Sequence, residues 1–206
     1  MENKFNEQES LQLITDMINQ ARNNFRKGAG NSMIFLGYTL AVLSILNYVL
    51  LVLFNNPFVY SVWALCIPLF FINYFYSSKR YKEALVKSHI DKVIGNVWTS
   101  AFISISMIVF ICYYAAYGFK SWIPYMLIVP LIMAAGGTAL YITAKLCRFK
   151  PYAYGGIVFW LGSILCVIIS VVMSRIEIQF IIFALSMIAG YVIPGHLANR
   201  KAEKDV

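Results

Sequence analysis

The chain has 206 residues, 60% hydrophobic and 13% charged, with a formal net charge of +8. A soluble domain carries roughly 25% charged residues, so this composition excludes an ordinary water-facing globule and suits a lipid-facing one. The basic excess does not point to nucleic acid. Of the 17 Lys and Arg residues, 15 lie at the N-terminus, in two of the loops or at the C-terminus, beside apolar segments, where they fix orientation and meet anionic lipid headgroups.

In chain order, Asn6 to Lys27 reads as an amphipathic cytoplasmic helix. Asn6 is its N-cap and Glu9 completes a box-like start. Leu11, Ile14, Ile18, Ala21 and Phe25 recur at helical spacing. Arg22, Arg26 and Lys27 close the helix in accord with its dipole, and Gly28 and Gly30 form a hinge. The polar first 31 residues do not resemble a cleavable signal peptide. A span needs about 20 apolar residues, and six such segments follow. They are expected at Asn31 to Phe54, Phe58 to Ser77, Val93 to Tyr117, Trp122 to Ala144, Tyr154 to Met173 and Ile178 to Leu197. Lys79, Arg80, Lys82, Lys87 and Lys92 fill the second loop, Lys145, Arg148 and Lys150 the fourth, and Arg200, Lys201 and Lys204 the tail. Only Lys120 and Arg175 lie on the other side, so both termini are expected to be cytoplasmic. Trp98, Trp122, Tyr113, Tyr114, Tyr117, Tyr125, Tyr152 and Tyr154 form the interfacial belt.

The expected fold is thus an all-α integral membrane protein, with six transmembrane helices in three antiparallel hairpins and the amphipathic helix in front. Residues 1–30 are helix and hinge, 31–197 the membrane domain and 198–206 a basic tail. The hairpins look loosely alike. Ile67-Pro68, Val129-Pro130 and Ile193-Pro194 recur once per even span. This spacing fits either a triplication, as in transporters with internal repeats, or three hairpins of similar length. Mitochondrial carriers are excluded, because their Pro-x-acid-x-x-base motif is absent.

No Asp, Glu, Lys, Arg or His falls near the middle of a span, which argues against proton relays and ion-coupled pumps. Asn47 lies deep in the first span, where an unpaired amide is costly. It either bonds a neighbouring helix or binds a polar solute. Ala134-Ala135-Gly136-Gly137-Thr138-Ala139 is the least bulky stretch of any span. Its paired glycines permit either a close helix crossing or an unwound segment facing a ligand. Asn47, Gly136, Gly137 and Thr138 would line a solute path under the second reading. Pro68, Pro130 and Pro194 are expected to kink their helices and free backbone carbonyls. Small residues every fourth position, such as Gly162, Cys166, Ser170 and Ser174, suit close packing within one chain or a homo-oligomer seam. Cys66, Cys112, Cys147 and Cys166 have no CxxC spacing, and His89 and His196 have no ligand spacing, so neither metal nor cofactor is expected. No H-E-x-x-H, G-x-S-x-G, P-loop or G-x-G-x-x-G motif is present, which argues against an enzyme.

Glu9-Ser10-Leu11, the run Asn19-Gln20-Ala21-Arg22-Asn23-Asn24 and the ending Gly190-Tyr191-Val192-Ile193-Pro194-Gly195-His196-Leu197 resemble a family of small, uncharacterised inner-membrane proteins of Bacteroides-type bacteria. The resemblance covers nearly the whole chain. It implies a bacterial inner-membrane location and no assigned biochemical role. Two function classes stay open. One is a non-enzymatic scaffold or regulatory protein whose Leu11, Ile14, Ile18 and Phe25 face the membrane surface or a cytoplasmic protein partner. The other is a small transporter or channel for a neutral or lipidic solute.

Overall fold

In lipid, every backbone N–H and C=O must find its partner within the segment, so apolar runs of about 20 residues fold as helices. The computed structural model describes residues 11–12, 30–54, 56–82 and 89–204, and among these it is all-helical, with no strand. The elements are α1 (Asn31–Phe54), a 3₁₀ segment (Pro57–Leu65), α2 (Cys66–Lys82), α3 (His89–Phe119), α4 (Ile123–Cys147), α5 (Lys150–Met173), α6 (Ile178–Met187), a π turn (Ile188–Val192) and α7 (Ile193–Lys204). Among the described residues five helices are long and apolar enough to cross a membrane, the last being α6, the π turn and α7 taken as one helix, Ile178–Lys204. This is the architecture of a multi-pass membrane protein. The amphipathic helix expected at Asn6 to Lys27 lies outside the described residues, apart from Leu11 and Gln12, which are helical. Of its proposed contact residues, Ile14, Ile18 and Phe25 are likewise outside them, and Leu11 is exposed.

The helix bounds follow local chemistry. α1 has the bounds expected of the first span. The second expected span begins differently: Pro57 enters a 3₁₀ segment, and the Asn56 side chain accepts from the Phe58 N–H at 2.9 Å. The α-helical part starts only at Cys66, two residues before Pro68. Pro68 therefore sits in the first turn of α2, where its missing N–H costs little. α4 and α5 end at Arg148 and Ser174, both in the left-handed conformation that closes helices.

The last helix is the centre of the molecule. In its most apolar stretch 61% of the residues are buried, against 11% for α3. α1 and α5 pack along its length, α4 meets α6, and the aromatic rings of Tyr60 and Trp63 lie on Phe180. α3 packs chiefly on α4, with Trp98 reaching Tyr191 edge-on at 5.8 Å. Glycine permits these close approaches. A Cβ on Gly155 would collide with the Gly190 carbonyl oxygen, and one on Gly30 with the Gly195 carbonyl oxygen. A Cβ on Gly137 would stand 2.9 Å from the Gly156 carbonyl oxygen. Three pairs of backbones thus touch where side chains would hold them apart.

Candidate functional site

The buried face of α1 carries Gly37, Ala41, Ser44 and Asn47, three or four residues apart. Small residues bring this face against the last helix: a Cβ on Gly37 would press on Val192 at 2.7 Å. Two and nearly three turns beyond Gly37, at Ser44 and Asn47, the stripe becomes polar. The Ser44 hydroxyl donates to the Phe180 carbonyl at 2.7 Å. Gly30 against Gly195, Gly37 against Val192 and Ser44 against Phe180 set an antiparallel register. In that register Asn47, one turn beyond Ser44, is level with the first turn of α6.

That turn holds a second buried amide. Pro130 lies inside α4 and has no N–H to give the carbonyl of Met126, four residues back. Gln179 supplies the missing donor from α6: its Nε2 donates to the Met126 oxygen at 2.9 Å and to Ser170 Oγ at 2.5 Å. A carbonyl can only accept, so this bond fixes which way the Gln179 amide faces. Ser163 Oγ donates to the carbonyl of Pro130 itself at 2.7 Å. Cys166 lies beneath, its Sγ 3.9 Å from both the Gln179 carbonyl and Met133 Sδ. The proline break in α4 is thus sealed by side chains of α5 and α6.

Two buried amides, one on α1 and one on α6, are left wanting. Asn47 and Gln179 are both 0% exposed. Among the described residues, Asn47 Nδ2, Asn47 Oδ1 and Gln179 Oε1 have no hydrogen-bond partner. Towards the nearer end of the bundle, Arg175 and Glu177 form an ion pair at 3.7 Å.

The other candidate residues are placed elsewhere. α4 runs through Gly136 and Gly137 without interruption. Gly137 is wedged against Gly156, Phe159 and Trp160, whereas a Cβ on Gly136 would meet only the Phe159 ring at 3.9 Å. Thr138 donates to the Ala134 carbonyl at 2.9 Å and accepts from Trp160 Nε1 at 3.3 Å. α1 and α4 share no close backbone contact among the described residues, so Asn47 is not brought together with Gly136, Gly137 and Thr138. Pro194 follows the π turn, in which the Ile193 N–H reaches back five residues to the Ile188 carbonyl. At that end of the bundle, Asn199 accepts from the Gly30 N–H at 2.8 Å and donates to Asn31 Oδ1 at 2.5 Å, clamping α1 to α7. Among the described residues no three His, Cys, Asp or Glu side chains gather as a metal site would require.

Sequence reasoning missed Gln179, because the second residue of a span reads as interfacial. The available signal was Pro130, whose freed carbonyl calls for a donor from a neighbouring helix. No protein-family model matches this chain, and no curated protein or solved structure matches it significantly.

Proposed function

We propose that this chain is a non-enzymatic scaffold or regulatory protein of a bacterial inner membrane. It crosses the bilayer six times, with both termini in the cytoplasm. The five long apolar helices support the membrane setting. The 3₁₀ segment and α2 supply the sixth crossing in this reading: their apolar part, Phe58–Asn73, at roughly 2.0 and 1.5 Å per residue reaches about 28 Å, close to the about 30 Å of hydrocarbon. Lys92, Lys145, Arg148, Lys150, Lys201 and Lys204 belong to one end of the bundle, the cytoplasmic end in this reading. There they meet anionic headgroups. The resemblance of both ends of the chain to small inner-membrane proteins of Bacteroides-type bacteria agrees with this location.

The observation that carries the scaffold reading is the direct backbone contact at Gly30–Gly195, Gly155–Gly190 and Gly137–Gly156. Seams closed by backbone on backbone favour a packed body over a conduit. The interacting element is then the N-terminal helix, through Leu11, Ile14, Ile18 and Phe25. The test is deletion of residues 1–27, followed by cross-linking mass spectrometry in native membranes. The shortened protein is expected to insert normally and lose specific cross-links. An unchanged cross-link profile refutes the reading.

A further inference from the structure

The second of the six proposed crossings is built unlike the others. α1 and α5 have 24 residues each and α4 has 25, and each is long enough as an α-helix. The apolar stretch Phe58–Asn73 is shorter. Wound as α-helix throughout, it would reach about 24 Å and fall short of about 30 Å of hydrocarbon. Its first part is instead a 3₁₀ helix of nine residues, Pro57–Leu65. That winding rises about 2.0 Å per residue and brings the stretch to about 28 Å.

A run of this length calls for a cause, because 3₁₀ hydrogen bonds are poorer and runs beyond three or four residues are uncommon. The prolines act on the ends only. Pro57 opens the segment, and Pro68 has no N–H to bring to the Ala64 carbonyl in an α-helix. Neither holds the backbone between Phe58 and Trp63. The bilayer acts on the whole run, since a helix too short for its membrane thins the lipid around it or draws in its polar flanks, here Asn56 and Lys79. The winding also sets a contact. At three residues per turn Tyr60 and Trp63 are eclipsed, and both rings lie on Phe180 of the central helix, at 6.1 and 6.0 Å. Trp63 meets Phe183 edge-on at 5.9 Å as well. At 3.6 residues per turn the two side chains would diverge by about 60° around the axis, and Tyr60, which lacks the second contact, would leave Phe180.

We infer that Pro57–Leu65 responds to membrane thickness. It is 3₁₀ in a bilayer of ordinary thickness and relaxes to an α-helix, about 4 Å shorter, in a thin one, with Tyr60 swinging away from the central helix. The inference rests on the six-crossing reading, and gives the proposed regulatory protein a physical input.

Solid-state NMR tests it on the full chain, labelled with ¹³C and ¹⁵N and assigned, in liposomes of dimyristoleoyl-, dioleoyl- and dierucoyl-phosphatidylcholine. The Val59 carbonyl is expected to be bonded by the Val62 N–H in the two thicker bilayers and by the Trp63 N–H in the thin one, where the contact between the Tyr60 and Phe180 rings is lost. The same donor at all three thicknesses overturns the inference. The crossing itself is checked separately with a membrane-impermeant maleimide on spheroplasts. Asn56→Cys is expected to label in intact spheroplasts and Lys82→Cys only after lysis. Both sites behaving alike refutes the sixth crossing, and the inference falls with it. Labelling from opposite sides with a fixed Val59 partner refutes the inference alone.

Discussion

Replacing Gln179 by Met keeps the length of the side chain and removes its amide. The Met126 carbonyl then loses its cross-helix donor, and Pro130 still offers none. A buried acceptor left unpaired costs about 1–3 kcal/mol. Against that stands the removal of the orphaned Gln179 Oε1, and cross-helix hydrogen bonds in membranes average only about 0.6 kcal/mol. The expected net loss is therefore about 1 kcal/mol. Pro130→Ala tests the cause, because the introduced alanine brings an N–H that can bond the Met126 carbonyl within α4. In that background Gln179→Met should cost close to nothing. The two substitutions are then coupled by about 1 kcal/mol, above the roughly 0.3–0.5 kcal/mol scatter of independent sites. The assay is a double-mutant cycle of reversible unfolding for the full chain in mixed detergent micelles. If the two effects simply add, the bond between α4 and α6 does not compensate for the proline and the reasoning fails.

The adjacent glycines of α4 separate by a similar measurement. Gly137→Ala should destabilise by about 1–3 kcal/mol, because its Cβ would stand 2.9 Å from Gly156 and Phe159 atoms. Gly136→Ala should be neutral or stabilise by up to about 1 kcal/mol, since its Cβ finds only ordinary contact. Equal effects at the two positions would count against the α4–α5 crossing described above. Ser44→Ala should lower stability by about 0.5–1 kcal/mol through loss of the cross-helix bond to the Phe180 carbonyl, which keeps the N–H of its own helix, while a midpoint identical to wild type would show that this bond does not help hold α1 to α6. Cys166 is completely buried between α4, α5 and α6. It should resist the membrane-permeant reagent N-ethylmaleimide in folded protein and react after denaturation in SDS, and prompt labelling of the folded protein would place it on a lipid or water surface instead.

Hydropathy made the long helices legible because lipid imposes one rule on every apolar run. It gave α1 its bounds and α3, α4 and α5 to within about four residues, and it gave the start of the last helix but not its continuation from Leu197 to Lys204. The 3₁₀ start of the second segment was not legible, since Phe58 to Leu65 is as apolar as a span and only Pro57 and Pro68 disturb it. Nor could hydropathy tell which helix sits in the middle, because lipid-facing and protein-facing surfaces are equally apolar in a membrane. The clues were steric. Ser186 and Gly190 mark the central helix, and Gly155 and Gly37 mark the faces that meet it. Asn47 was conspicuous as an amide deep in a span, but its lack of partners depends on register between α1 and α6, which no local pattern encodes.

The central position of the last helix has a consequence for how the protein is made. Ser44 and the Phe180 carbonyl it bonds are 136 residues apart. At roughly 5–20 residues per second of synthesis, α1 waits on the order of ten seconds in the insertion machinery or the bilayer before its partner emerges. During that time the groove that will receive Ile178–Lys204 lies open, with Ser44 and Asn47 facing lipid or the translocon. The early helices are thus a template awaiting its insert, and release of a stable protein is tied to the arrival of one late segment. A chaperone or insertase that shields polar side chains in half-built membrane proteins has its natural window here, between the emergence of α1 and that of α6.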